Sequence, residues 1–380
     1  MATRILHVLD ATTPADAVDV LSLILPRHEH RLAALGHRST RDLAASAGIH
    51  EPITFLHSMG WPDPTGWRGV HRLIKEYKPT HVHAWGIPAA IAVTMSRFKG
   101  QRLVTLVDLP KARHLQLLSF IHKGGLYVSV SPCHWTVNTS WLKRELHSHS
   151  IAADAVTLIR PALNGNHDQA STPAALREEL GILPEDGPII VLGGDGGIES
   201  MFAEPGMDPL RQGGRGGARH DLGLWSTAVL QTIFPRIKTI VREDPRGRTD
   251  HGLERLFNKL PDDDVAVVAP RHWSWTRLMS LADVLLVTPD GPFAAGSILH
   301  AFAAKVPVVG TPVDAVREHV MDGHNGMLAS AVRVRAITAA MEAFFSDPGL
   351  RARLTLQALL DVGGRHDLSA MLRGYDSLYA

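Results

Sequence analysis

An α/β fold with two parallel sheets is predicted by three features of this sequence. Short apolar runs of strand length alternate with stretches of helical periodicity, the arrangement that builds a doubly wound sheet. The strongest run, residues 284–288, reads VLLVT, as a strand covered on both faces should. The alternation starts at Arg4, closes near Ile159 and restarts after a turn-like stretch at residues 161–170. The 380 residues therefore divide into two domains, 1–165 and 166–346, followed by a helical tail, 347–380.

In the first domain the spacing predicts strands at residues 4–10, 30–35, 54–57, 80–84, 102–107, 126–131 and 156–159. Helices are predicted at 16–25, 67–77, 89–97 and 139–147. Thr13 suits an N-cap and Pro14 a first helical turn, while Lys78-Pro79 ends the second helix. The second domain repeats the pattern. Strands are expected at 188–192, 238–241, 265–268, 284–288 and 307–310, with helices at 172–180, 224–234, 253–260, 275–281, 296–304 and 314–321. A Gly-rich stretch, 193–223, interrupts it. In the tail, Leu350, Leu354 and Ala358, then Leu368, Met371, Tyr375 and Tyr379, recur at helical spacing, with Gly363-Gly364 read as the break between two helices.

Composition fits an ordinary water-soluble protein, with 45% hydrophobic and 20% charged residues. The N-terminus meets Asp10 too soon for a signal peptide, and no run approaches the roughly 18 apolar residues of a spanning helix. The single cysteine, Cys133, rules out an intrachain disulfide, so a cytoplasmic location is expected. The net charge of +1 hides an asymmetry: residues 1–165 carry 18 Lys/Arg against 11 Asp/Glu, and the remainder 21 against 27. A basic first half suits peripheral contact with an anionic membrane surface, or complements the acidic half within the molecule. His81 and His83 share one side of a strand, but no third ligand stands at metal-like spacing, so no metal or other cofactor is expected. Nothing marks the chain as a nucleic-acid binder.

Several strings, collinear over nearly the whole chain, resemble the GT-B glycosyltransferases of group 1 (family 4). Lys78-Pro79-Thr80-His81-Val82-His83-Ala84-Trp85-Gly86 is similar to that family's first-domain strand element. Ile159-Arg160-Pro161 with Asn164-Gly165 resembles its interdomain linker, and Lys305-Val306-Pro307-Val308-Val309-Gly310-Thr311 its penultimate strand. Glu318-His319-Val320-Met321-Asp322-Gly323-His324-Asn325-Gly326-Met327-Leu328 is the nearest match. The resemblance implies a GT-B architecture: two facing Rossmann-like domains with parallel sheets and C-terminal helices crossing back to the first. It also implies a nucleotide-diphosphate sugar as donor substrate, held by the second domain, and an acceptor (glycan, lipid or small molecule) held by the first. Such chemistry is mainly electrostatic, with cations or N–H groups stabilising the leaving diphosphate.

Transferred position by position, the resemblance implies a donor site at Gly193, Gly194, Arg215, Arg219, His272, Gly291, Pro292, Phe293, Gly296, Ser297 and His300. It implies catalytic roles for Asp108, His83 and Asp290, and an acceptor loop at Thr12 and Thr13. The family's two carboxylates eight positions apart are replaced by Pro292 and His300, leaving Asp290 as the nearest acid. Val107, beside Asp108, stands where a histidine is expected, Gly194 where an arginine is, and Thr12-Thr13-Pro14 where a double glycine is. The Gly-rich stretch with Arg215 and Arg219 reads either as a diphosphate cradle or as a surface insertion. His83 reads as a sugar contact or as a buried ring. Trp273 and Trp275 read as packed under their loop, or as a stacking surface for a nucleobase. These departures leave two function classes: a retaining glycosyltransferase, and a GT-B protein that binds a nucleotide sugar or a partner enzyme without turnover.

Overall fold

Each half of the chain folds around an all-parallel sheet whose strand order reverses once. The computed structural model describes residues 3–10, 13, 15–36, 49–57, 64–107, 117–123, 132–163, 172–194, 218–243, 257, 260, 265–270, 273–291 and 296–380. It divides into two compact units, one of residues 1–162 with 366–380, the other of residues 163–365.

In the first unit the strands are β1 (Arg4–Asp10), β2 (Glu29–Leu35), β3 (Ile53–Leu56), β4 (His81–Trp85), β5 (Gln101–Leu106), β6 (His134–Val137) and β7 (Val156–Leu158). They lie in the order β3-β2-β1-β4-β5-β6-β7. The helices are α1 (Ala15–Ile24), α2 (Pro64–Tyr77), α3 (Ile87–Met95), α4 (Leu118–His122) and α5 (Ser140–Ser148). Strand parity builds a core on each face. From β1, Leu6 and Val8 enter one core with Val70 of α2 and Ile91 of α3. Ile5 and Leu9 enter the other, with Val18 and Leu21 of α1. Successive side chains of a strand point to opposite faces, so a strand covered twice must be apolar at both parities.

The second unit holds β8 (Ile189–Leu192), β9 (Lys238–Arg242), β10 (Ala266–Ala269), β11 (Val284–Val287), β12 (Val308–Gly310) and β13 (Met327–Leu328), in the order β10-β9-β8-β11-β12-β13. Its helices are α6 (Pro173–Glu179), α7 (His220–Leu230), α8 (Trp275–Met279), α9 (Gly296–Ala303), α10 (Asp314–Arg317), α11 (Val334–Ser346) and α12 (Pro348–Arg365). β11 divides its side chains in the same way, Leu285 and Val287 to one core, Val284 and Leu286 to the other.

One expectation changes, and two lie where the structure gives no description. The predicted strand 126–131 and most of the predicted helix 253–260 lie outside the described residues, and the sixth strand is His134–Val137. Its polar Thr136 hides it in the sequence, yet that side chain is fully buried. Gly363-Gly364 does not separate two helices. α12 runs through both to Arg365, anchored by Leu354 and Ala358, and the break falls at His366. The next helix, α13 (Leu368–Tyr379), is started by the Asp367 carboxylate, which accepts from the backbone of Ser369 and Ala370. α13 crosses back to the first unit, burying Met371, Tyr375 and Tyr379 one turn apart.

The Glu318–Leu328 string is architectural. Asn325 is buried; its amide donates to the His319 carbonyl (2.9 Å) and the Asp361 carboxylate (2.8 Å), and its carbonyl accepts from Met321 N (2.7 Å). Gly323 has φ +70°, and a Cβ on Gly326 would lie 2.8 Å from the Val308 carbonyl oxygen. The turn that leads into β13 needs these three residues.

Candidate active site

In a doubly wound sheet, ligands bind beyond the carboxyl ends of the strands where the order reverses. That point lies between β8 and β11 in the second unit and between β1 and β4 in the first.

At the second unit's reversal, β8 runs into Gly193, whose N–H donates to Leu286 O of β11 (2.9 Å). A Cβ on Gly193 would stand 2.4 Å from Val287 Cγ1 and 2.9 Å from Ser297 Oγ, so only glycine lets β8 end against α9. Gly194 follows with φ +105°, and the His220 ring of α7 contacts Gly193 O at 3.3 Å. Beside it, β11 leads into Thr288, whose hydroxyl meets the carbonyls of Ala218 (3.0 Å) and Arg219 (2.9 Å). These bonds tie the residues just before α7 to the end of β11. They hold Arg219 in a left-handed conformation, φ +44° and ψ +49°.

The Arg219 guanidinium is thereby placed between two carboxylates. Nε and Nη2 donate to the two oxygens of Asp221, each at 2.9 Å, and Nη1 donates to Asp290 Oδ2 at 2.6 Å. The forked hydrogen bonds to Asp221, then the Asp290 pair, raise the Arg219 pKa further above its usual range. Asp290 Oδ1 is buried without a hydrogen-bond partner among the described residues, as is Ser297 Oγ in the first turn of α9. One cation held by two anions gives this three-residue cluster a net charge of −1.

Arg219, Asp290, Gly193, Gly194, Gly291, Gly296 and Ser297 thus come from three segments that meet at one sheet end. His300, one turn into α9, directs Nδ1 to Thr276 Oγ1 of α8 at 3.3 Å. Arg215, His272, Pro292 and Phe293 lie outside the described residues, as do Asp108 and Thr12. Asp221 was noticeable only as an acid near a helix start; its pairing needed the left-handed turn at Arg219. Trp273 and Trp275 are buried, packed under Arg277 (4.5 Å) and Arg242 (4.1 Å), which excludes their rings from stacking on a ligand.

At the first unit's reversal, the Asp10 carboxylate accepts from Ala89 N (3.0 Å) in the first turn of α3, filling a position where an anion would otherwise bind. Thr13 is buried and structural. Its hydroxyl accepts from Asp10 N and donates to Trp85 O, both at 2.9 Å, rather than capping α1 or facing a ligand.

His83 must be removed from the catalytic set. It is fully buried, stacked on Trp85 at 4.3 Å, with Nδ1 on Tyr379 Oη and Nε2 on Thr105 Oγ1, both at 2.6 Å. Burial, with His81 adding a smaller effect, lowers its pKa to about 3. Parity explains the misplacement: β4 residue 83 points to the face covered by α13, not along the strand axis toward the ligand edge.

Residues 234–347 match the family model described as glycosyl transferases group 1. No curated protein matches the chain in sequence. Among solved structures, the chain superposes on Anabaena HepE in complex with UDP-glucose with a TM-score of 0.78 at 16% identity, covering 99% of each chain. A glycosyltransferase from Rickettsia africae gives 0.73 at 15% identity, with 100% of this chain and 98% of that one covered. The sucrose-phosphate synthase of Thermosynechococcus elongatus gives 0.68 at 14% identity, over 99% and 98%.

Proposed function

We propose that this GT-B protein, with its group 1 glycosyltransferase segment at residues 234–347, transfers a sugar from a nucleotide-diphosphate donor to an acceptor. The observation that carries the reading is the meeting of Gly193, the first turn of α9 and the Arg219–Asp290 pair at the strand-order reversal of the second sheet. Gly193 and Gly194 give a diphosphate room against backbone, and the N-terminus of α9 offers it N–H groups. Arg219 would exchange Asp290 for a phosphate oxygen and neutralise the charge that develops on the leaving group. Asp290, already presenting one unpartnered oxygen, would accept from a sugar hydroxyl and share charge with an oxocarbenium-like transition state. That UDP-glucose is bound by HepE supports a uridine donor.

Titration calorimetry with UDP, GDP, ADP and their glucose conjugates tests the pocket. One uridine ligand is expected to bind, and silence from all of them refutes the reading. Donor hydrolysis by wild type and Asp290→Asn tests turnover, with a loss of tenfold or more expected in the variant.

A second reading, binding without turnover, is favoured by the net negative charge around Arg219. Two carboxylates already satisfy the cation that a diphosphate needs. Equal hydrolysis by wild type and Asp290→Asn, with donor binding intact, would favour it.

A further inference from the structure

We propose that α13 is a proton-operated latch, released from the first sheet when His7 and His83 beneath it take up protons. The two rings face the same side of the sheet, because β1 pairs with β4 in a register that sets His7 opposite His83. Their centroids are 5.5 Å apart, and both are buried. α13 closes over them with Tyr379, whose hydroxyl meets His83 Nδ1, and Tyr375, whose ring lies 6.0 Å from His83.

Neither ring has a place for a proton, for different reasons. The Trp85 indole N–H can only donate, and it donates to His7 Nδ1 at 3.2 Å, so that nitrogen must be unprotonated. A proton there breaks the bond. His83 uses both nitrogens on neutral hydroxyls, and Thr105 also bonds Thr136 of β6; among the described residues no carboxylate is bonded to the ring, so a proton there is a buried charge without a counterion. Besides Tyr375 and Tyr379, the other titratable neighbours among the described residues are histidines: His30 of β2, 6.4 Å from His7; His81 of β4, held by Gln101 and Thr80; and His28, 5.2 Å from the Tyr379 ring. α1 adds apolar Val18 and Leu21 to this core. Burial holds His7 well below its ordinary pKa, and the nearby His83, His30 and His28 lower it further.

The rim of α13 is held separately from the buried pair. Asp376 accepts from Arg27 Nη2 (2.5 Å) and pairs with His28 Nε2 (2.9 Å). His30 approaches Glu51 at 3.9 Å, outside the seat. Release therefore depends on the buried pair. α13 contributes no strand, so lifting it wets both rings without breaking a strand ladder.

The sign follows from the lowered pKa values. Above the unfolded histidine value of about 6.5 neither form binds protons and the latch is closed; as pH falls below it, the released form gains them first. Hydrogen exchange of the whole protein between pH 7.5 and 5, corrected for intrinsic rates, tests this. Protection of residues 368–379 should fall by up to about 100-fold per pH unit below 6.5, about tenfold for each proton, while β1 and β4 stay protected. His7→Gln, which keeps an acceptor for Trp85, should reduce the slope to about tenfold. If that variant does not fold, the wild-type profile still decides. Asp376→Asn should loosen α13 at every pH without changing the slope. Protection of α13 that is flat with pH, or lost together with β1 and β4, overturns the latch. So does a slope abolished by Asp376→Asn.

Discussion

Replacing Arg219 with alanine separates its two proposed tasks, pinning Asp290 and receiving a diphosphate. The side chain is 25% exposed, with Asp221 at 12% and Asp290 at 24%, so the cluster is neither a surface pair nor a sealed one. An exposed pair contributes up to about 1 kcal/mol. Breaking a buried pair by removing one partner costs about 3–5 kcal/mol. The geometry lies between, and Arg219→Ala should destabilise the second unit by about 2 kcal/mol, lowering Tm by about 4–8 °C for a unit of this size. Loss of a hydrogen bond to a charged group should also weaken UDP binding by about 1.5–3 kcal/mol, roughly 10- to 150-fold in Kd. Scanning calorimetry reads the first and titration calorimetry the second. A lowered Tm with unchanged UDP affinity would refute the diphosphate role and leave Arg219 as a structural pin. Adding Asp290→Asn to Arg219→Ala should restore part of the lost Tm, because it removes one of two carboxylates left without a counterion.

Three further outcomes follow from the same packing. Gly193→Ala forces a Cβ to within 2.4 Å of Val287 Cγ1 and should cost about 1–3 kcal/mol by chemical denaturation, together with a loss of donor binding. Asn325→Leu removes the bond to the Met321 N–H and one bond each to the His319 carbonyl and the Asp361 carboxylate, and should cost about 2–4 kcal/mol in the same assay, leaving donor specificity unchanged. Global stability should be full above about pH 6.5 and decline below it by about 1.4 kcal/mol per pH unit for each buried neutral histidine, His7 and His83 being two; a urea midpoint that is flat between pH 7 and 5 would contradict their burial.

The strand runs, the two-unit repeat and the Glu318–Leu328 turn were legible in the sequence because each is a local requirement. Apolar side chains at both parities mark a strand covered twice, Gly323 marks a left-handed turn, and Gly326 marks backbone that tolerates no Cβ. Those signals, with the family strings, were enough for the GT-B architecture, and strand-order reversal then located Gly193 and Asp290 together. What distinguishes the site was not local. Whether Arg219 stands as an open cation or sits between Asp221 and Asp290 depends on Thr288 holding a left-handed turn 69 residues away in the chain. His83 reads as a sugar contact or a buried ring, and Thr13 as a helix cap or an acceptor contact; only the parity of β4 and the docking of α13 put one under a helix and the other inside a turn. A residue's type is written in the sequence, but its exposure and charge partners are set by which elements pack over it.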